Sequence, residues 1–145
     1  MMKKKHCLII QILLLLWFLL AMTGFSIGDQ CLVTSAFEED GGFFFAYLIA
    51  IVLFVVTEKF GKGLMIGWTS MWFVTQFICH EWYTLFDGGF MGSLEGKIEY
   101  FSGTIPLLQI QGKYIPDLYH TILHILILCT LTVTVIYTVK TEKKK

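Results

Sequence analysis

The chain has 145 residues, 56% of them hydrophobic and 15% charged, with no formal net charge. A water-soluble domain ordinarily carries about 25% charged residues, so this composition excludes an ordinary soluble globular domain. Its eleven basic residues are all Lys and lie in short clusters beside apolar runs, which excludes a nucleic-acid-binding surface.

The chain opens on Lys3, Lys4 and Lys5, followed by an apolar run over residues 7–27. Crossing a bilayer takes roughly 20 apolar residues, so a first span is expected there. The same order of features describes a secretory signal peptide, with Ser26-Ile27-Gly28 as a cleavage site. The run exceeds the about 7–15 apolar residues of such a leader, so an uncleaved helix is preferred; cleavage would leave three spans. Residues 28–42 form an acidic loop carrying Asp29, Glu38, Glu39 and Asp40. A second span covers 43–60, its last turn reached by snorkelling of Lys59. Gly61-Lys62-Gly63 reads as a tight turn into an aromatic-rich third span over 64–86. Residues 87–117 form a long loop, with a short helix expected over 94–101 and an extended piece over 107–115. The loop is too apolar for a solvated linker and is expected to fold back over the helices as a cap. A fourth span over 118–139 precedes the basic tail, Lys140 to Lys145.

Charge placement orients these spans. The two chain ends and the 58–63 turn hold nine of the eleven Lys, and the loops 28–42 and 87–117 hold eight of the eleven acidic residues. The positive-inside rule then places both termini in the cytoplasm. The expected fold is all-α, a bundle of four transmembrane helices in one membrane domain, with the long outer loop folded over it. The expected location is the plasma membrane. The absence of Arg, with abundant Ile and Phe, suggests an AT-rich coding sequence and hence a bacterium.

Four cysteines, Cys7, Cys31, Cys79 and Cys129, include no C-x-x-C pair. A dithiol redox pair is thereby disfavoured, as is a zinc site of four cysteines. Cys79 and Cys129 read as small apolar fillers.

Ionisable groups inside a span are costly and mark a partner or a cavity. His80 and Glu81 fall in the third span, His120 and His124 in the fourth. At about 3.6 residues per turn, Thr69, Gln76, His80, Thr84 and Asp87 share one face of the third helix, and Glu81 points about 100° away. Asp117, His120, Thr121 and His124 share a face of the fourth. The candidate polar site is therefore Gln76, His80, Glu81, Asp117, His120 and His124. His80, His120 and His124 are the residues that could hold a transition metal, or a haem through two of them. The plainer reading is preferred: three imidazoles hydrogen-bonded to their neighbours, tying the cap to the bundle. Thr130, Thr132, Thr134 and Thr138 are expected to bond backbone carbonyls.

No residue pattern specifies a reaction. The expected function is that of a non-catalytic accessory or interaction protein, in contact with lipid and with a membrane partner or a second copy of itself. A metal- or haem-binding membrane protein is the alternative. A component of an oligomeric transporter is weaker still, because no span carries repeated charges or a break.

Overall fold

The structure, a computed structural model, describes residues 3–143; Lys144 and Lys145 of the basic tail lie outside the described residues. The chain is mostly helical. Helix α1 covers Lys4–Thr23, α2 Phe37–Val56, α3 Glu58–Gln76, α4 Trp82–Phe86, α5 Leu94–Tyr100 and α6 Leu118–Glu142. A π-helical turn, Phe77–Glu81, joins α3 to α4 without a break. Among the described residues, three helices, α1, α2 and α6, are long and apolar enough to cross a membrane. Helix α1 packs on α2 and α6, and α3 packs on the same two, so four long rods close into a ring.

The expected all-α architecture gains a small sheet. Helix α1 stops at Thr23 because Gly24 adopts φ +71°, a value open to glycine but strained for other residues. Strands β1 (Phe25–Ile27) and β2 (Gln30–Val33) then pair antiparallel across Gly28-Asp29, with Gly28 at φ +60°. Tight hairpins need positive φ in such turns. The end of the expected first span and the start of the expected acidic loop are therefore one hairpin. Glu38, Glu39 and Asp40 are not in a loop. They form the first turn of α2, six residues before the expected span, where acidic groups complement the helix dipole.

The reading of Gly61-Lys62-Gly63 as a turn is also corrected. The chain reverses at Thr57, and residues 58–63 are already helical. Glu58 stabilises that start through an ion pair with Lys62 one turn on, at 2.9 Å. Gly61 serves packing instead. A Cβ on it would lie 2.3 Å from the Phe54 Cα and 2.5 Å from the Leu53 carbonyl oxygen. The missing side chain is what lets α2 and α3 touch backbone to backbone.

Both described chain ends gather at this turn. Lys4 Nζ donates to the Val55 carbonyl at 3.0 Å, Lys62 Nζ donates to Thr141 Oγ1 at 2.8 Å, and Tyr137 OH donates to Glu58 Oε1 at 2.8 Å. The hairpin and the long loop lie at the opposite end. Between the two ends the interior is aromatic: Trp72 meets Phe18 at 4.8 Å, Phe43 at 5.0 Å and Tyr47 at 5.4 Å between ring centroids. Of the four threonines, Thr134 and Thr138 donate to the carbonyls of Thr130 and Thr134 as expected, whereas the buried Thr130 hydroxyl has no partner among the described residues.

Candidate functional site

The polar site forms where the π-helical turn faces the start of α6. Asp117 caps α6. Its Oδ1 accepts from the His120 amide at 2.8 Å and lies 2.7 Å from His120 Nδ1. His120 stacks on His80, with centroids 4.3 Å apart and planes 26° from parallel. His80 is buried, and its Nδ1 shares a hydrogen bond of 2.5 Å with the Tyr114 hydroxyl. One turn further along α6, His124 Nδ1 meets Glu81 Oε1 at 2.5 Å. Its ring packs against Phe73 at 4.5 Å.

Glu81 corrects the helical-wheel expectation. On a regular α-helix it would point away from His80. Here the Trp82 amide reaches back to the Phe77 carbonyl, five residues earlier, and the turn holds one extra residue. Consecutive residues His80 and Glu81 consequently both face α6, one on His120 and the other on His124.

The expected convergence of three imidazoles is replaced by two pairs. The stacked rings of His80 and His120 lie in near-parallel planes, and His124 is bonded to Glu81 through Nδ1, its Nε2 being buried without a partner among the described residues. Among the described residues, no three His, Cys, Asp or Glu side chains form a group that could hold a metal ion. Gln76, the sixth expected residue, lines a separate cavity with Asp40 and His120.

Tyr114 is the functional residue that sequence reasoning missed. It lies in the long loop yet is buried, and Phe101 packs on both it and His80. Lys97 Nζ sits 4.3 Å above the Tyr83 ring and 5.6 Å from the Tyr114 ring centre. Burial pushes the Tyr114 hydroxyl above its ordinary pKa, so it keeps its proton and remains a donor. Burial likewise pulls the Lys97 ammonium below its ordinary value. No periodicity could have signalled Tyr114; only an unusually apolar loop pointed to a buried anchor there.

The long loop is tied to the hairpin and to the start of α6. The Ile105 amide donates to Cys31 of the hairpin at 2.9 Å, and the Leu118 amide donates back to Ile105 at 3.0 Å. Removing the hydroxyl in Tyr114→Phe should loosen this loop and leave the helices intact. A lost hydrogen bond of about 1 kcal/mol corresponds to about fivefold more open loop. Protease cleavage within residues 101–116 should accelerate by that factor, with no change in helical circular dichroism.

In comparisons with protein-family models, with curated proteins and with solved structures, nothing matches this chain.

Proposed function

We propose that this chain is a small multi-pass protein of the plasma membrane, with four spans and both termini cytoplasmic. On this reading it acts as a non-catalytic accessory or interaction partner of other membrane proteins. The observation that carries the functional part is that each site histidine is bonded through Nδ1 to a neighbouring side chain, although His124 Nε2 has no partner among the described residues. His80 is held by Tyr114, His120 by Asp117 and His124 by Glu81. A site so engaged ties the long loop to two helices, which is a structural task.

Support for the membrane part comes from the surface. Large apolar side chains remain exposed along all four rods, among them Ile9 and Leu16 on α1, Ile49 and Val52 on α2, Val74 on α3 and Ile125 on α6. A soluble monomer rarely leaves such wide apolar surfaces in water. For the third span, α3, the π-helical turn and α4 run unbroken for the 29 residues of 58–86. At about 1.5 Å per residue that rod exceeds the roughly 30 Å hydrocarbon core. Lys at the end that carries the termini, and acidic residues at the other, support a cytoplasmic placement of both termini.

Purification from membranes tests this reading. The protein should require detergent for extraction, show no Soret band and carry no stoichiometric metal. A membrane-protein partner, or a second copy, should co-purify with the native chain and with His80→Ala, His120→Ala and His124→Ala alike. In a Cys31→Ser background, an impermeant maleimide should label Gln109→Cys in intact cells, whereas a carboxy-terminal fusion should be reachable only from the cytoplasm. Metal or haem lost in the His variants would overturn the non-catalytic reading. Labelling at both places from outside would overturn the topology.

A further inference from the structure

The long loop holds two lysines, and they differ in their partners. Lys113 is exposed and pairs with Asp87 at 3.6 Å. Lys97 is half-buried on α5, and among the described residues it has neither an ion-pair partner nor a hydrogen-bond acceptor. What meets its ammonium is aromatic: Nζ lies 4.3 Å above the Tyr83 ring and 5.6 Å from the Tyr114 ring centre. Ring faces attract a cation, but they leave the three N–H bonds of an ammonium without an oxygen to accept them. A charge drawn partly out of water is ordinarily matched by a counter-charge. Burial already pulls this ammonium below its ordinary pKa, and an anion beside it would restore the charged form.

The same lysine lines a cavity of about 430 Å³, open on one side, between the π-helical turn and α5. That volume falls within the about 300–1,000 Å³ of pockets that hold small ligands. The π-helical turn contributes His80, the segment before α5 contributes Met91 and Ser93, and the end of α5 contributes Tyr100 and Phe101. None of the described residues that line it is acidic. Met91 and Tyr100 remain 61% and 73% exposed, so large apolar surfaces stand uncovered beside the unmatched charge. The two features call for different parts of one guest: an oxyanion for the ammonium and an apolar chain for the walls. A lone ammonium acts as a point charge, which suits phosphate, whereas the planar fork of Arg is what matches a carboxylate.

We propose that this cavity binds an alkyl phosphate, with an anionic oxygen on the Lys97 ammonium and the chain against Met91, Tyr100 and Phe101. Such a group occurs on free amphiphiles and in the headgroup region of phospholipids. The site goes beyond the accessory role proposed above, and its test in detergent does not depend on the four-span topology.

Calorimetric titration of the purified full chain in a non-ionic detergent tests it, with hexyl phosphate as the probe. Saturable one-to-one binding is expected. The neutral analogue 1-hexanol should bind at least about tenfold more weakly, the size of one charge-assisted hydrogen bond. Inorganic phosphate, which lacks the chain, should also bind at least about tenfold more weakly. Both comparisons use the native protein and need no variant to fold. Lys97→Gln should weaken hexyl phosphate by about tenfold. Gln is as good a helix former as Lys, so helical circular dichroism should not change. Lys113→Gln, the same charge change elsewhere in the loop, should leave affinity unaltered. Adding dihexanoyl phosphatidylglycerol in the same detergent separates the two sources. Competition assigns the site to a lipid headgroup, and its absence assigns the site to a free alkyl phosphate. Equal binding of phosphate and alcohol, a Lys97→Gln protein that binds as tightly as the native one, an equal loss in Lys113→Gln, or no saturable binding would overturn the proposal.

Discussion

Replacing Gly61 by alanine is expected to destabilise the protein by about 3 kcal/mol, near the upper end of overpacking penalties. The new methyl would meet the Phe54 backbone at 2.3 Å, and backbone cannot swing aside as a side-chain tip can. Relief requires α2 and α3 to separate along the contact that closes this side of the ring. Gly63→Ala, two residues away, should go the other way. A Cβ there meets nothing within 4 Å, and alanine replaces glycine inside an exposed helix. That exchange favours the folded state by about 0.5–1 kcal/mol. Unfolding of both variants in one detergent, followed by circular dichroism, gives the comparison. Equal shifts, or a neutral Gly61→Ala, would mean that the two helices do not touch there.

The second large effect is expected at Asp117, because one carboxylate performs two tasks. It caps α6 and it holds His120 in place. Losing a cap costs about 0.5–2 kcal/mol, and leaving a part-buried imidazole without its partner costs about 1–3 kcal/mol more. Asp117→Ala should therefore lose about 2–3 kcal/mol. Asp117→Asn should recover the capping part, since Asn caps helices about as well as Asp. Acidity discriminates further. Burial pushes the Asp117 carboxyl upward, but the hydrogen bond and charge of His120 outweigh burial and hold it below the ordinary value of 3.8. A folded pKa lower than the unfolded one stabilises above the unfolded value, and that contribution fades as the pH falls through the folded value. The stability gap between the native chain and Asp117→Asn should thus be full at about pH 5 and shrink progressively as the pH falls below about 4. A gap that stays constant over this interval would show that the charge of Asp117 contributes nothing.

The first of these predictions falls on a residue whose meaning changed between sequence and structure, and two site residues changed with it. Gly61 has the neighbours of a turn glycine, with Lys62 and Gly63 following. Its turn lies four residues earlier, at Thr57, and what the position needs is space for the α2 backbone. Glu81 sits beside His80 on a segment of regular helical pattern, and nothing local announces the extra residue of the π-helical turn. The partner that this turn delivers, His124, is 43 residues away in sequence. Tyr114 is 34 residues from His80, in a stretch without helical or strand periodicity. Asp117, by contrast, was readable. Helical spacing alone puts it on one face with His120, three residues on, and the structure pairs the two.

By itself the sequence determined where the long apolar helices lie, where charge collects and which few ionisable groups stand among apolar neighbours. Those are properties of composition over about 20 consecutive residues, and they survive whatever the helices pack against. Only the tertiary structure decided that residues 25–33 turn back as a hairpin, that His80 stacks on His120 while Glu81 takes His124, and that Asp40, Gln76 and Trp72 border one cavity. Those outcomes depend on the rotational phase of each helix and on its neighbours across the ring. A single extra residue in one turn resets that phase, and the amino-acid pattern does not mark it.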